Sequence, residues 1–177
     1  LKEAAGKIIV NGSPLSSKQR AGKIYLVMQE PGYQLFADSV EKELRVSFGH
    51  KKSDADKERA KQLLEQLGLS EKKERHPLSL SGGEKQRLSV AAALMQAAHF
   101  FFLDEPTSGL DLENMNRVSA LLSDLRSEGK TVFVITHDYE FLLNTCDRVL
   151  WLDHGTIRKD VRLTTEILPA LHEFFKI

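Results

Sequence analysis

Two adjacent acidic residues, Asp104 and Glu105, follow an uninterrupted apolar run at residues 100–103. Such a run predicts a strand that is buried on both faces of a parallel sheet, and open α/β sheets bind ligands at the carboxyl ends of their strands. Asp104 could hold Mg²⁺ there, usually through water, because a hard cation prefers carboxylate oxygen. Glu105 could orient and polarise an attacking water molecule. Strands often end in acidic residues, so the pair alone does not define the chemistry.

A second group, Ser81, Gly82 and Gly83, opens a helical pattern within the sequence Leu-Ser-Gly-Gly-Glu-Lys-Gln-Arg at residues 80–87. Glycines let backbone N–H groups approach an anion closely, and a helix N-terminus adds partial positive charge. The Ser81 hydroxyl can donate to the same phosphate. A plain serine N-cap behind a glycine turn would explain Ser81 and one glycine, but not the whole octet.

The strands that position these residues follow from hydrophobic patterning. Strand-like runs occur at residues 7–11, 23–28, 100–103, 131–136 and 148–152. From residue 100 onward the order is strand, helix, strand, helix, strand. This order predicts an α/β domain with a parallel sheet.

Helical periodicity marks four further segments. One helix begins at Ser53 or Asp54, ends at Gly68 and carries an apolar face formed by Ala60, Leu63, Leu64 and Leu67. Others follow Ser81, run through residues 118–125, or start near Thr164 or Thr165 and continue towards Phe175. Residues 36–97 contain no convincing strand and are interpreted as a helical insertion.

The motifs together resemble those of the ATP-binding-cassette (ABC) family. Residues 80–87 resemble its signature motif, and residues 100–105 its Walker B strand with the catalytic glutamate. Ser-Gly-Leu-Asp at residues 108–111 resembles the D-loop, and Thr-His-Asp at residues 136–138 the switch-histidine loop. Gln29, after a strand, resembles the Q-loop glutamine. All five motifs stand in the order typical of the family.

The resemblance implies a RecA-like P-loop NTPase core with a mostly parallel sheet and an inserted α-helical subdomain. Residues 1–35 would be the remainder of the N-terminal β part with the Q-loop. Residues 36–97 would form the helical subdomain with the signature motif. Residues 98–160 would complete the core, and residues 161–177 would form a C-terminal helix.

The family roles carry over to individual residues. Asp104 and Gln29 would hold Mg²⁺, and Gln29, Glu105 and His137 would act in catalysis, with His137 on the γ-phosphate. The residues that would bind the nucleotide of the opposite subunit are Ser81, Gly82, Gly83 and Asp111. The implied reaction is Mg²⁺-dependent ATP hydrolysis by a dimer of cassettes, homodimeric or heterodimeric.

The phosphate-binding loop of the family, G-x-x-x-x-G-K-[ST], does not occur in the sequence. Its two Gly-Lys pairs, Gly6-Lys7 and Gly22-Lys23, are each followed by Ile and lack the earlier glycine. In the family this loop lies shortly before the segment that residues 1–8 resemble. The chain is therefore expected to begin after the Walker A segment and to be inactive on its own.

The run after Gln29 is similar to Q-x-P-x-x-Q-L-F-x-x-[ST]-V-x-x-E-x-x-F-G of the energy-coupling-factor importers, which take up vitamins and transition metals such as cobalt and nickel. This resemblance implies an ATPase at the cytoplasmic face of the cell membrane, bound to an integral membrane subunit. Leu35 and Phe36 would either form a groove for that subunit or lie in the core of the helical subdomain.

Composition restricts the alternatives. The 25 basic and 25 acidic residues cancel, so no basic field points to a nucleic-acid partner. Cys146 is the single cysteine, which excludes an internal disulfide framework. One alternative is a regulatory cassette or fragment that does not hydrolyse ATP, although the intact set of Gln29, Glu105 and His137 argues against it. Another is a soluble ABC ATPase that is not tied to transport.

Overall fold

The computed structural model describes residues 6–46 and 53–176. The strands of this part are β1 (Ile9–Val10), β2 (Ser13–Pro14), β3 (Ile24–Val27), β4 (Phe100–Asp104), β5 (Thr131–Ile135), β6 (Arg148–Asp153) and β7 (Thr156–Arg162). Its α-helices are α1 (Ser17–Arg20), α2 (Val40–Val46), α3 (Asp54–Gln66), α4 (Gly82–Leu94), α5 (Leu112–Ser127), α6 (Tyr139–Thr145) and α7 (Leu168–Phe175). Within this part, no helix is long and apolar enough to cross a membrane.

A three-stranded parallel sheet carries the site, with β4 between β3 and β5. Ile24 pairs with Phe100, and Phe100 with Thr131, so the carboxyl ends of all three strands reach the same edge. The strands predicted at residues 23–28, 100–103 and 131–136 are therefore confirmed as parallel neighbours. In such a sheet, the loops after the strands are the expected place for a ligand.

The strand predicted at residues 148–152 exists as β6, but it lies outside the parallel sheet. It pairs antiparallel with β7, and Arg148 stands opposite Arg162. The turn between them contains His154 (φ 45°) and Gly155 (φ 76°), a pair of positive φ values suited to a tight hairpin. The sequence did not predict β7, because its residues are almost all polar or charged and exposed.

Helix α4 is the centre of the core. Every residue from Gln86 to Leu94 is buried, and the helix packs against α2, α3, α5 and β3. Three consecutive alanines, Ala91, Ala92 and Ala93, let these neighbours approach the helix closely. The start of α4 is thereby held at a fixed position beside the carboxyl edge of the sheet.

The two faces of the parallel sheet differ. Val27, Phe101 and Leu103 are buried against the helices, whereas Leu26 and Ile135 on the opposite face are 49% and 60% exposed. The prediction that residues 100–103 are buried on both faces is therefore wrong for the described part of the chain. Side chains alternate between faces along a strand, and the described helices cover only one of them.

The helix starts were predicted with mixed success. Ser53 and Ser81 each begin a helix through a capping box, as the sequence indicated. The last helix begins at Leu168 rather than near Thr164 or Thr165. Residues 165–167 form a turn instead, in which the Ile167 N–H donates to the Thr164 carbonyl over 3.2 Å. The parts of the 36–97 segment that are described contain helices and no strand, but the division into four domains stays a prediction.

Candidate functional site

Asp104 and Glu105 lie where the central strand leaves the sheet, as predicted. Asp104 pairs with Ile135, and the Glu105 N–H still donates to the Ile135 carbonyl over 2.9 Å. Glu105 then adopts φ 48°, a left-handed conformation that is uncommon for a residue with a side chain. The regular strand ends at this residue, and a turn follows in which the Ser108 N–H donates to the Glu105 carbonyl over 3.1 Å.

His137 and Glu105 form a close polar pair at this edge. The His137 Nδ1 atom lies 2.7 Å from Glu105 Oε1, and the two side chains are 83% and 14% exposed. The hydrogen bond to Glu105 and the negative charge of that carboxylate raise the pKa of His137 above its ordinary value of 6.5. The structure thus brings together two of the three predicted catalytic residues, which come from neighbouring parallel strands.

Gln29 stands at the same edge of the sheet, but among the described residues no hydrogen bond joins it to Glu105 or His137. It follows Val27 by two residues, and Val27 pairs with Leu103 next to Asp104. Gln29 is exposed. Gln34 fixes this loop, because its Oε1 accepts the Met28 N–H over 2.6 Å and its Nε2 donates to the Leu26 carbonyl over 2.7 Å. Gln34 belongs to the importer pattern that follows Gln29, but its hydrogen bonds to the backbone of β3 and Met28 were not predicted from the sequence.

The signature residues open α4. The Ser81 side-chain oxygen accepts the Glu84 N–H over 3.4 Å, and the Glu84 carboxylate accepts the Ser81 N–H over 3.0 Å. Lys72 forms an ion pair with Glu84, and this hydrogen-bonded contact is the main cause that lowers the pKa of Glu84. Lys72 is a cation beside the signature that the sequence alone could not place, because it comes from a separate turn before the helix.

Gly83 contacts the segment that resembles the D-loop. A Cβ atom at Gly83 would lie 3.2 Å from Leu110 Cδ2 and 3.4 Å from the Gly109 carbonyl oxygen. Asp111 begins α5 and accepts the Asn114 N–H over 2.9 Å. Gly83 of the signature and the Gly109–Leu110 part of this segment are therefore neighbours, and the absence of a side chain at Gly83 permits this close approach.

The side chains at this edge supply few ligands for Mg²⁺. The Asp104 carboxylate is half-buried and receives no hydrogen bond from any residue that the structure describes. Across residues 6–46 and 53–176, no group of three or more His, Cys, Asp or Glu side chains is placed to hold a metal ion. One carboxylate and a nearby amide fit an ion that takes its other ligands from phosphate and water, as Mg²⁺ does in phosphoryl-transfer sites.

The comparisons with known proteins identify the family. The ABC transporter family matches residues 1–108, and the chain therefore belongs to the ABC transporter ATPase family. This result confirms the resemblance that the five motifs indicated.

Several relatives carry energy-coupling-factor names. The chain is 38% identical over 171 residues to the energy-coupling factor transporter ATP-binding protein EcfA2 of Mycoplasma pneumoniae, covering 90% of this chain and 56% of that protein. It is 37% identical over 160 residues to EcfA1 of Thermotoga maritima, with 89% and 61% covered. A Treponema denticola relative is 46% identical over 160 residues, but the chain covers 32% of it. The chain thus spans about a third to three fifths of these relatives.

Solved structures confirm the predicted fold class. CbiO1 from Clostridium perfringens, part of the ABC transporter complex cbiONQ, matches all of this chain and 78% of its own, with a TM-score of 0.74 and 26% identity. The dimeric bacterial ABC transporter cassette MJ0796 matches 90% of this chain and 74% of its own, with a TM-score of 0.73 and 25% identity.

Proposed function

We propose that this chain forms most of an ATP-hydrolysing cassette that works as a dimer and powers solute import, in the manner of energy-coupling-factor transporters for vitamins or transition metals. The observation that carries the proposal is the Glu105–His137 pair at the carboxyl end of the central strand. A regulatory cassette without hydrolysis would not need a carboxylate held in this way by a histidine.

The chemistry divides among residues of this chain. Bound MgATP supplies the phosphoryl group and the charge neutralisation that phosphoryl transfer requires. Asp104 would hold the metal ion with Gln29 nearby, and Glu105 would accept hydrogen bonds from the attacking water. His137 would hold the Glu105 carboxylate before nucleotide arrives and contact the γ-phosphate afterwards. These roles are consistent with the open lone pairs of Asp104 and with the exposure of the His137 ring.

Dimer formation would complete each site. Ser81, Gly82 and Gly83 would meet the γ-phosphate held by the second cassette, and Asp111 would reach across the interface. The close packing of Gly83 on Gly109 and Leu110 supports this assignment, because it makes the two motifs neighbours within one cassette. A solved relative of the same fold is described as dimeric and bound to ADP and Pi.

The membrane partner would bind near the loop after β3. Phe36 is 81% exposed and Tyr33 is 72% exposed, whereas Leu35 is 3% exposed. The docking role predicted for both Leu35 and Phe36 is therefore restricted to Phe36, since Leu35 lies in the core. We place the cassette at the cytoplasmic face of the membrane, held there by an integral membrane subunit.

The substitution Glu105→Gln in the full-length protein tests the proposal. It keeps the side-chain volume but removes the charge that polarises water, so ATP turnover should fall at least about 100-fold while ATP still binds. Without turnover, the ATP-bound dimer should persist and appear in gel filtration with MgATP. Rapid hydrolysis by this variant would exclude Glu105 as the catalytic base, and a wild-type protein without ATPase activity would exclude the function itself.

A further inference from the structure

Gln86 is a buried polar residue on the signature helix that the proposed mechanism does not use. It lies in the second turn of α4 and is 2% exposed, with its neighbours along the helix buried as well. A buried amide without a partner is costly, so its direction is meaningful. The Gln86 Nε2 atom donates to the Glu105 carbonyl oxygen over 3.3 Å.

The acceptor belongs to the strained residue of the site. Glu105 has φ 48°, and a residue with a side chain keeps such a conformation only where its surroundings hold it. Its N–H is held by the Ile135 carbonyl over 2.9 Å. Its carbonyl accepts two hydrogen bonds, one from the Ser108 N–H over 3.1 Å and one from Gln86.

These contacts come from different directions. Ile135 belongs to the neighbouring strand, and Ser108 to the loop that follows Glu105 itself. Gln86 alone reaches the Glu105 backbone from the helical part of the chain, among the hydrogen bonds within the described residues. It therefore connects the helix that begins at Ser81 with the peptide that directs the Glu105 carboxylate towards His137.

We propose that Gln86 is a positioning residue that holds the Glu105 peptide in its left-handed conformation and so keeps the Glu105 carboxylate aligned for hydrolysis. The inference rests on the proposed function. It also links the two half-sites of one cassette, because the helix that would meet the nucleotide of the second subunit is hydrogen-bonded to the carboxylate-bearing peptide of its own site.

A purely structural Gln86 would behave differently. It would affect stability alone, whereas a positioning residue affects the chemical step after folding and binding are complete. Loss of alignment by about 1 Å can lower a rate by about 100-fold. The expected signature is therefore a lower kcat with an unchanged KM for ATP, together with a change at the His137 ring.

The test is Gln86→Met in the full-length protein assembled with its partner cassette. Methionine is unbranched and of similar length, but its thioether donates no hydrogen bond. We expect kcat to fall about 10- to 100-fold, with KM for ATP and ATP-induced dimerisation unchanged. In an NMR titration, the pKa of His137 should fall towards its ordinary value, because the Glu105 carboxylate is no longer held against the ring.

Ser89→Ala is the matched control. Ser89 is also 2% exposed and on α4, and its hydroxyl donates to the Gln86 carbonyl over 2.8 Å within the helix, not to Glu105. Its kcat and the His137 titration should match those of the wild type. If Gln86→Met does not fold, Gln86→Asn is measured instead, since it withdraws the amide by one methylene group.

The outcomes separate the two proposals. Wild-type kcat together with a wild-type His137 titration in the folded Gln86 variant overturns the positioning role, whatever its melting temperature. A kcat that falls equally in the Ser89→Ala control overturns it too, because the effect is then general to the helix. Absence of ATP hydrolysis by the wild type would instead contradict the proposed function. The His137 titration would still report on Gln86, because it needs no turnover.

Discussion

The left-handed conformation of Glu105 predicts that glycine is more stable than alanine at this position. The Glu105→Gly and Glu105→Ala variants both lose the carboxylate and its hydrogen bond to His137, so these losses cancel in their difference. The remaining difference in their free energies of unfolding comes from the backbone conformation of residue 105, which has φ 48°. Glycine adopts this region freely, whereas a Cβ atom costs roughly 1–2 kcal/mol there.

The unfolded chain reduces that difference. Alanine restricts the unfolded state more than glycine does, which favours alanine by about 0.4–1 kcal/mol. Subtracting the second effect from the first, the Glu105→Gly variant should exceed Glu105→Ala in free energy of unfolding by roughly 0.8 kcal/mol. For a domain of this size the melting temperatures should differ by about 2–3 °C.

Urea unfolding of both variants measures the difference, and Lys61 supplies the control site. Lys61 lies exposed within α3, where alanine should be the more stable by about 1 kcal/mol because glycine is a poor helix former. The glycine variant should thus be the more stable one at position 105, and the alanine variant the more stable one at position 61. An alanine advantage at both would refute the left-handed conformation of Glu105, and with it the strain on which the role of Gln86 depends.

Three further predictions concern the site and its surroundings. The pKa of His137 should fall in Glu105→Gln, as followed by NMR. In the wild type, the charged pair stabilises the folded state fully below the unfolded-state pKa of His137, and this stabilisation is lost as the pH rises through the raised pKa. An unchanged titration would contradict the pairing. Phe36→Ser should weaken co-purification with the membrane subunit at an unchanged melting temperature, whereas Leu35→Ser should lower the free energy of unfolding by about 3 kcal/mol, because only Leu35 is buried. If both variants lose stability alike, Phe36 has no separate docking role. A polypeptide of the 177 residues alone should show no micromolar binding of MgATP in calorimetry, because its sequence contains no phosphate-binding loop; such binding would show that the phosphate site has been misplaced.

Helix boundaries that depend on neighbouring residues could be predicted from the sequence. Ser81 begins α4 because a serine followed three residues later by Glu84 forms a reciprocal capping box, which depends on neighbouring residues only. The end of α3 was readable for the same reason, since Gly68 adopts φ 65° directly after the apolar pattern. Five motifs in a fixed order then indicated the fold class beyond what periodicity alone could give.

Contacts between residues that are far apart in the sequence could not be predicted from it. The hydrogen bond from Gln86 to Glu105 depends on how α4 packs beside the sheet, and no spacing rule encodes it. The ion pair of Lys72 with Glu84 has the same origin. Strand β7 was missed because its charged side chains leave no alternating apolar pattern, and its pairing relies instead on backbone hydrogen bonds and cross-strand contacts such as Arg148 with Asp160.

The order of strands in the parallel sheet has a consequence for how the chain folds. β3 is made before its partner β4, and α2, α3 and α4 lie between them in the chain, since Ile24 pairs with Phe100. Pairing between such distant segments is slow, because a long loop must close before any contact is gained. Until then, the apolar side chains of β3 have no strand beside them, and exposed strands of this kind favour aggregation. Helix α4 contacts β3 in the folded chain and precedes β4 in the sequence, so an early contact between α4 and β3 would cover that strand before β4 pairs with it.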